Sequence, residues 1–422
     1  MIAARKEKIL KMKKNITLFA ISLCVSLLFL EIGIRLFIGS KIPVKDHRDD
    51  MFWVANQEFG WAKKPNSSGY FSNGLYNGYI INDHYGNRQN SDNGTFIESN
   101  SNIFFIGDST TVSLEVNNDE TVPAMLENKL RQGGRNVNVL NFGVRGYGTD
   151  QSVRKALHFA EYYKPRQIIY MYCDNDFIDN NTIKRSYKKF GKGVYIRPLV
   201  DGQFKAVNYP VAEYKHNTAA MVVFDPQGIP FIHRATLPEK DLDFREKHDR
   251  FKVALKRNFY ILRAYSYLKD VFKHHLKEAM SPMAIHDIDP YAIIESGKVW
   301  SEAFSSAYID GSKVRVRHKQ YFNEQMKFLL TMLRQIKSLE KVHLVWFPSS
   351  NEMQLFAAGK SVNHELFAEL KQTGIVDSYV NLNAALITAK IDIQELRSPA
   401  DHHFSRKGNE WIAAKILEQI HF

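Results

Sequence analysis

The sequence predicts an α/β protein: a parallel sheet covered by helices on both faces, preceded by a membrane helix. From residue 101 onward, short apolar runs typical of buried strands alternate with helical segments, which is the pattern of a parallel sheet. Near the N-terminus a long apolar run follows a basic cluster, which is the pattern of a membrane helix. With 422 residues, 44% of them hydrophobic, the chain is long enough for a large core.

The basic charge is concentrated at the N-terminus. The formal net charge is +12. Glu7 is the only acid among the first fourteen residues, whose basic members are Arg5, Lys6, Lys8, Lys11, Lys13 and Lys14. The excess elsewhere is modest and no nucleic-acid-binding motif is present, so nucleic acid is not an expected partner. Cys24 lies in the apolar run and Cys173 at a strand end, so no disulfide between them is expected.

Residues 16–38 form the apolar run, which is long enough to span a bilayer. Glu31 and Arg35 interrupt it at i, i+4 spacing and could pair on one helix face. The basic flank predicts a cytoplasmic tail at 1–14, an anchor at 15–38 and the bulk of the chain outside the membrane. A cleaved signal peptide is the alternative. No clear small-x-small cleavage site follows the apolar core, which favours an uncleaved anchor.

Residues 39–100 are polar, aromatic and rich in turn residues, so we expect an irregular leader before the core. The core domain is then expected at 101–422. Its strands are predicted at 103–106, 137–141, 167–173 and 342–347, and its helices at 122–132, 152–163, 365–372 and 406–420.

Between about 180 and 320 the strand–helix rhythm breaks, which indicates an insertion in one α/β domain. Its early part holds short β-like runs such as 221–224, and residues 241–279 form a basic, helical stretch. We interpret this helix as a solvated face with an apolar side on the core. Contact with membrane phospholipid or an acidic glycan is the alternative.

The first chemical motif is Gly107-Asp108-Ser109, which ends the first core strand. Parallel α/β sheets place ligands and nucleophiles at the carboxyl ends of their strands. A serine there can act as a nucleophile if a histidine reaches it and amide donors face it. The other members of such a site must therefore come from later segments.

Two later strand ends offer hydrogen-bond donors. The second strand runs into a loop with Gly143, Gly146 and Gly148, where backbone N–H groups can approach a ligand closely. An ordinary tight turn is the alternative. The third strand ends at Asn175, whose side-chain amide can donate to an oxyanion. A turn-initiating Asn-Asp pair is the alternative there.

The last motif stands just before the final helix and contains Asp401, His402 and His403. A carboxylate beside a histidine can fix its tautomer and support it as a general base. The histidine doublet could instead bind metal or be structural. Because no set of ligands has zinc-like spacing, we expect neither a metal nor a cofactor.

Together these segments resemble the SGNH/GDSL hydrolase superfamily, from about residue 101 to the C-terminus with the insertion excepted. The resemblance implies Ser109 as nucleophile, the Ser109 and Gly146 amides and the Asn175 side chain as oxyanion hole, Asp401 as supporting acid and His403 as base. It also implies a flavodoxin-like three-layer α/β/α sandwich. Family members are esterases, lipases, thioesterases and carbohydrate deacetylases or acetyltransferases.

The chain departs from the family pattern in two places. Cys173 stands where the third block usually has glycine. The last block is usually Asp-x-x-His, and here Asp401-x-His403 is one residue shorter. His403 is preferred to His402 because Phe404, Ser405 and Gly408 continue the family-like pattern after it.

The pattern is most similar to that of bacterial membrane-anchored members of the superfamily. Glu31 and Arg35 resemble a pair found at the end of their anchors. Asn82, Gly86 and Arg88 resemble a segment before their core, which we interpret as structural docking.

The resemblance and the topology lead to an expected function. We expect a serine esterase anchored in the cytoplasmic membrane and acting on the periplasmic side, on an ester substrate such as an O-acetylated envelope glycan or a lipid. O-acetyl transfer to a polysaccharide is one alternative. A catalytically silent, membrane-anchored glycan-binding or assembly protein is the other, and the shortened Asp401-x-His403 block supports it.

Overall fold

The structure is a computed structural model. It describes residues 2–37, 53–72, 77–92, 94, 96–184, 191–197, 202–211, 218–236, 251–252, 255–256, 258–280, 293–294, 314–315, 318–398 and 403–422. The chain forms two compact units. Unit 1 comprises residues 1–47, 72–76 and 244–282, and unit 2 comprises 48–71, 77–243 and 283–422.

The described residues form strands and helices in a mixed order. The strands are β1 (Trp53–Asn56), β2 (Gly60–Lys63), β3 (Ser68–Ser72), β4 (Asn77–Ile81), β5 (Ser101–Gly107), β6 (Val137–Asn141), β7 (Gln167–Tyr172), β8 (Thr182–Lys184), β9 (Val194–Ile196), β10 (Lys205–Val207), β11 (Thr218–Phe224), β12 (Pro230–Thr236), β13 (Ile293–Ile294), β14 (Val314–Arg315), β15 (Lys341–Trp346) and β16 (Ser378–Asn381). The α-helices are α1 (Ile2–Phe37), α2 (Ser109–Val112), α3 (Val122–Gln132), α4 (Thr149–Tyr163), α5 (Asp176–Asn181), α6 (Tyr260–Met280), α7 (Lys319–Met332), α8 (Ser350–Ala357), α9 (Val362–Gln372), α10 (Leu382–Ala389) and α11 (Arg406–Gln419).

Five parallel strands form the central sheet of unit 2, in the order β16-β15-β7-β5-β6. In chain order of these five strands this is 2-1-3-4-5, the flavodoxin-like arrangement that the family resemblance implied. The direction of winding reverses between β5 and β7, so the loops after these two strands diverge to opposite faces of the sheet. Ligands in open α/β sheets bind at this reversal, beyond the carboxyl ends of the strands.

Both faces of the sheet are covered by helices, which confirms the expected three layers. Because side chains alternate along a strand, Phe104 and Ile106 of β5 face one layer while Ile103 and Phe105 face the other. The first layer contains residues of α4, α7 and α9. The second contains residues of α3, α10 and α11. β5 is thus buried on both sides, as its continuous apolar sequence predicted.

Some elements differ from the sequence prediction. The helix expected at 152–163 begins three residues earlier, at Thr149, directly after the glycine-rich loop. β16, a strand of only four residues with sequence SYVN, was not predicted, since a short and half-polar run gives no strand signal. The leader, expected to be irregular, contains two two-stranded sheets, the antiparallel pair β1-β2 and the pair β3-β4.

The insertion in unit 2 builds a second, antiparallel sheet in which β11 pairs with β12, β8 and β14. The β-like run expected at 221–224 lies within β11. A buried ion pair ties this region to the core: Lys192 Nζ lies 2.6 Å from Oδ2 of Asp150, in the first turn of α4. Burial raises the pKa of Asp150 although the Lys192 ammonium opposes the shift.

In unit 1, α1 is long and apolar enough to cross a membrane over Lys11–Phe37, and this stretch is not buried by the rest of the described chain. Residues 11–30 are all exposed. The last predicted anchor residue, Ile38, lies outside the described residues, as do residues 241–250, 253–254 and 257 of the predicted basic stretch. The described part of that stretch contains α6.

Candidate functional site

The carboxyl end of β5 turns sharply at Gly107, whose φ is +153°. A Cβ atom at this position would lie 2.3 Å from Thr111 Oγ1 and 2.8 Å from the Met171 carbonyl oxygen. Only glycine tolerates both this φ and this closeness. The turn therefore requires Gly107, and it brings the next two residues to the edge of the sheet where the winding reverses.

Asp108 is the buried centre of this turn. Its Oδ1 accepts hydrogen bonds from the Thr110 backbone N–H and the Thr110 hydroxyl, both at 2.8 Å. Its Oδ2 accepts from the Ser109 hydroxyl at 3.3 Å. Asp108 thus caps α2 and holds Ser109, which is half-buried, at the first position of that short helix.

The loop after β6 packs directly against α2. Asn141 joins the two segments: its Nδ2 donates to the Thr111 carbonyl at 3.2 Å and its Oδ1 accepts from the Gly143 N–H at 3.1 Å. A Cβ on Gly143 would lie 2.4 Å from the Val112 nitrogen, so no larger residue fits. Val144 N–H then donates to the Gly107 carbonyl at 3.2 Å. These contacts bring the loop carrying Gly146 to the nucleophile turn.

Gly146 follows in a left-handed conformation, with φ +75° and half-buried. Among the described residues, no group accepts the backbone N–H of Gly146 or that of Ser109. Both donors are therefore available for a ligand oxygen, which is what an oxyanion hole requires.

Asn175 reaches the same turn from the end of β7. Its Nδ2 donates to Asp108 Oδ2 at 3.1 Å and to Asp179 Oδ2 at 2.8 Å. A side-chain amide has two N–H donors, and here both face carboxylates. The structure therefore places Asn175 beside Asp108 and Ser109, as expected, but its amide must leave one carboxylate before it can bind an oxyanion.

Burial raises the pKa of two further groups near this edge. Burial, reinforced by the Asp108 carboxylate, holds the pKa of Asp176 well above its usual range. Tyr170 donates its hydroxyl hydrogen to this carboxyl group. Burial also raises the pKa of the Cys173 thiol well above its usual range. Since the thiolate is the reactive form, Cys173 is not a competing nucleophile.

His403 lies in the loop before α11 and is largely buried. Its Nδ1 is 3.2 Å from Oε1 of Glu115, a close contact that lacks hydrogen-bond geometry, and the two side chains are only 10% and 5% exposed. The loop is fixed on both sides of the ring. Ser398 N–H donates to the His403 carbonyl at 2.7 Å, and Phe404 packs on Phe347 with ring centroids 4.8 Å apart.

Glu115 is itself held in place through the backbone around it. The buried Arg88 guanidinium donates to the Val112 and Val116 carbonyls, each at 2.6 Å, and to Asn118 Oδ1 at 3.2 Å. Burial lowers the pKa of Arg88 to about 10, against the raising effect of Glu115 and other acids. Arg88 thus fixes the 112–118 segment that presents Glu115 to His403.

The expected residues fall into two groups. Contacts among the described residues bring Ser109, Asn175 and the loop of Gly146 to one edge of the sheet. His403 is described with a carboxylate partner, whereas its expected partner Asp401, like His402, lies outside the described residues. Sequence reasoning missed Glu115. Its signal was an acidic residue between Leu114 and Val116, six positions after the nucleophile, since a charge flanked by apolar residues is usually buried and paired.

Two further findings concern the kind of protein. Within the described ranges, no three His, Cys, Asp or Glu side chains cluster in a way that could hold a metal ion. A family model described as GDSL-like Lipase/Acylhydrolase matches residues 103–416, which is most of the chain. No curated protein matches the chain.

Proposed function

The chain belongs to the GDSL-like lipase/acylhydrolase family and is therefore an ester-bond hydrolase, and we propose that Ser109 and His403 carry out its chemistry on the outer side of a membrane. One observation carries the assignment of residues. Gly107 and Asp108 hold Ser109 at the carboxyl end of β5, where the Gly146 loop and Asn175 converge on it.

In the proposed reaction His403 removes the Ser109 proton as the hydroxyl attacks the ester carbonyl. A histidine can do this when one ring nitrogen is held by a carboxylate and the other faces the serine. Glu115 Oε1 lies 3.2 Å from Nδ1, and in the proposed reaction Nε2 is the nitrogen that takes the Ser109 proton. The family pattern proposes Asp401 for the same supporting role. The contact between Glu115 and Nδ1 is our reason to propose Glu115 for this role.

The tetrahedral intermediate needs donors at its oxyanion. The Ser109 and Gly146 N–H groups supply two, and Asn175 supplies a third once it releases Asp108 or Asp179. His403 then returns the proton to the leaving alcohol, and water hydrolyses the acyl-enzyme by the same steps in reverse. We therefore expect rearrangement of Asn175 to accompany substrate binding.

The proposed location rests on the N-terminal segment. Its basic flank precedes the apolar helix α1, so the bulk of the chain is expected outside the cytoplasmic membrane. An O-acetylated envelope glycan is the ester substrate that such a location favours.

The assignment of Ser109 can be tested with a fluorophosphonate probe and with p-nitrophenyl acetate. We expect the probe to label the purified protein and Ser109→Ala to abolish both labelling and turnover. Ser152→Ala is a matched control, since that buried α4 hydroxyl has no hydrogen-bond partner in the described part of the chain. Full esterase activity in Ser109→Ala would overturn the assignment.

The substrate is tested separately with an O-acetylated polysaccharide. Release of free acetate, lost in Ser109→Ala, supports a deacetylase. Acetate that appears only on an added glycan acceptor would indicate transfer in place of hydrolysis. Hydrolysis of p-nitrophenyl acetate without any release from the polysaccharide would reject the glycan and leave the esterase assignment standing.

A further inference from the structure

We propose that α1 is retained as the anchor and that α6 lies flat in the lipid interface of the same membrane, with one apolar side among the lipid tails. The apolar side, called here the α6 stripe, consists of Leu262, Tyr265, Leu268 and Phe272. The proposal concerns unit 1 alone. It rests on the membrane location proposed above but not on the catalytic residues.

The first observation is that α1 caps α6. Glu31 accepts hydrogen bonds from the backbone N–H groups of Tyr260 and Ile261, both at 2.8 Å. These groups belong to the first turn of α6, where N–H groups have no partner within the helix. A carboxylate at this end of a helix is stabilising. α1 therefore supplies a structural part of a helix more than 220 residues away in sequence.

Arg35 strengthens the same junction. Its guanidinium donates to the Asn258 carbonyl at 3.1 Å and to Glu31 Oε1 at 3.4 Å, and it lies 4.9 Å from the centre of the Tyr260 ring. Removal of α1 as a signal peptide would take away both the acceptor and the guanidinium and leave the first turn of α6 uncapped. The junction therefore favours a retained anchor.

The second observation is that other described residues of the chain cover α1 only near its C-terminal end. Glu31, Gly33 and Ile34 are half-buried, whereas every residue from 11 to 30 is exposed. α6 therefore meets α1 only near Glu31 and does not run back along the apolar length of the anchor. An apolar helix exposed on all sides requires lipid around it.

Helix geometry places this junction at the edge of the bilayer. From Lys14 to Glu31 the helix rises roughly 26 Å at about 1.5 Å per residue. The hydrocarbon core of a bilayer is about 30 Å thick. With Lys14 at one headgroup layer, Glu31 and the first turn of α6 lie near the opposite one.

The third observation is the α6 stripe itself. Its four side chains are spaced by three, three and four residues, so they share one side of the helix. They are 41–67% exposed. Tyr265 and the exposed Lys269 suit the membrane–water interface, where aromatic rings and snorkelling lysines are favoured. The helix sequence carries one arginine and three lysines against one aspartate and one glutamate, which suits anionic lipid.

The apolar surface of α1 and the stripe belong to one unit, and the two helices are joined at Glu31, which the helix geometry places near a bilayer edge. This continuity identifies lipid as the occupant of the stripe. A second copy of the chain on the stripe would make it a protein contact, and the experiment below separates the two.

The full-length protein, with Cys24 and Cys173 replaced by serine, is reconstituted into vesicles of phosphatidylcholine and phosphatidylglycerol. Single cysteines at Leu268→Cys, Leu23→Cys and Lys371→Cys carry an environment-sensitive fluorophore. Leu23 lies in the exposed part of α1, and Lys371 is an exposed residue at the end of α9. Lipids spin-labelled near the headgroup or near the chain end serve as quenchers.

We expect the label at position 268 to be quenched at least threefold more by the shallow quencher than by the deep one, the label at 23 to show the reverse, and the label at 371 to show neither. The proposal would be wrong if the label at position 268 had the emission of a fluorophore in water and neither lipid quenched it. Deep quenching there would mean a second membrane span. Shielding without lipid quenching, together with disulfide cross-linking between copies, would assign the stripe to a second chain.

Retention and capping are measured on the same preparation. The intact mass should include residues 1–38, and a mature chain that starts after them would overturn the retained anchor. Glu31→Ala should raise hydrogen exchange in the first turn of α6 at least tenfold, whereas Glu31→Gln, which keeps an acceptor oxygen, should raise it less. Unchanged exchange in Glu31→Ala would contradict the cap. Esterase activity in detergent is independent of these readouts, so failure of one proposal does not imply failure of the other.

Discussion

The nucleophile and the base of the proposed site are held by two different kinds of structure. Ser109 is positioned by its immediate neighbours Gly107 and Asp108 and by the ends of adjacent parallel strands. His403 is held by backbone and ring contacts and lies against a carboxylate nearly 290 residues away, in a segment that Arg88 of the leader holds. The nucleophile side is therefore a local device, and the base side is a long-range assembly that brings together three distant parts of the chain.

The difference predicts how each side tolerates change. The position of Ser109 is fixed by the steric constraints of its own turn. It should therefore be lost only when a residue of that turn changes. A long-range assembly can also fail through residues that never touch substrate. Variants around Ser109 and variants around His403 should therefore differ in whether a loss of catalysis is accompanied by a loss of folding.

The largest effect is expected from the base. His403→Ala should lower kcat for p-nitrophenyl acetate by at least about 10⁴-fold, as removal of a triad member does in serine hydrolases. His402→Ala is the neighbouring control and should retain activity within a few-fold. The circular dichroism spectrum should match the wild type in both variants. Equal losses in the two variants, or a loss only in His402→Ala, would reject the assignment of His403.

Replacing the supporting acid should have the next largest effect. Glu115→Gln should lower kcat by roughly 10²- to 10⁴-fold, because a neutral amide no longer fixes the base tautomer. The acid limb of the pH–rate profile should also move to lower pH, because a nearby carboxylate favours the charged imidazole. A structural role would not shift this limb.

Asp401→Asn is the matched comparison for Glu115→Gln. We expect it to lower kcat less than tenfold and to leave the pH–rate profile unchanged. The opposite pattern, with Asp401→Asn inactive and Glu115→Gln active, would return the acid to the position that the family pattern implies. The contact between Glu115 and His403 would then not contribute to catalysis.

The third effect concerns the local side. Asn175→Ala should slow turnover by about 100- to 1,000-fold with KM nearly unchanged, the usual cost of one oxyanion donor. Thermal unfolding should stay near the wild-type midpoint. A change of less than threefold would mean that the Asn175 amide stays with Asp108 and Asp179 during the reaction and only shapes the turn.

The smallest effect on catalysis, and a large one on stability, is expected at the buried pair of the insertion. Lys192→Met should lower the free energy of unfolding by about 3–5 kcal/mol, because it leaves the Asp150 carboxylate buried without its cation. Urea unfolding measures this loss. Activity per folded molecule should stay within a few-fold.

The double variant Asp150→Asn with Lys192→Met removes both charges and should recover much of the lost stability. A single variant as stable as the wild type would show that solvent reaches Asp150. A loss of activity in folded Lys192→Met would extend the long-range dependence to the nucleophile side, since Asp150 directly follows the Gly146 loop.

The same distinction explains what the sequence allowed us to predict. β5, α3 and β6 were predicted within two residues, because continuous apolar runs and a helix with a Thr121 cap carry local signals. Ser109, Gly146 and Asn175 could be proposed as site residues because each follows a strand. β16 and the leader strands were missed because strands of four or five residues depend on their partners.

Glu115 could not be identified from the sequence for a related reason. Nothing near it in the chain indicates which distant side chain it meets. Its contact with His403 is set by the fold, through the segment that the guanidinium of Arg88 holds. Residues of a family motif can be identified from the sequence. A contact between distant residues, such as that of Glu115 with His403, can be identified only from the structure.

The junction between Glu31 and α6 also has a consequence for biosynthesis. The two bonded segments are separated by 229 positions. At about 5–20 residues per second, ribosomes need roughly 10 to 45 seconds to make the intervening chain. During that interval α1 is already made, but α6, whose first turn Glu31 caps, is not. Closure of this junction therefore requires that more than half of the chain has already been synthesised.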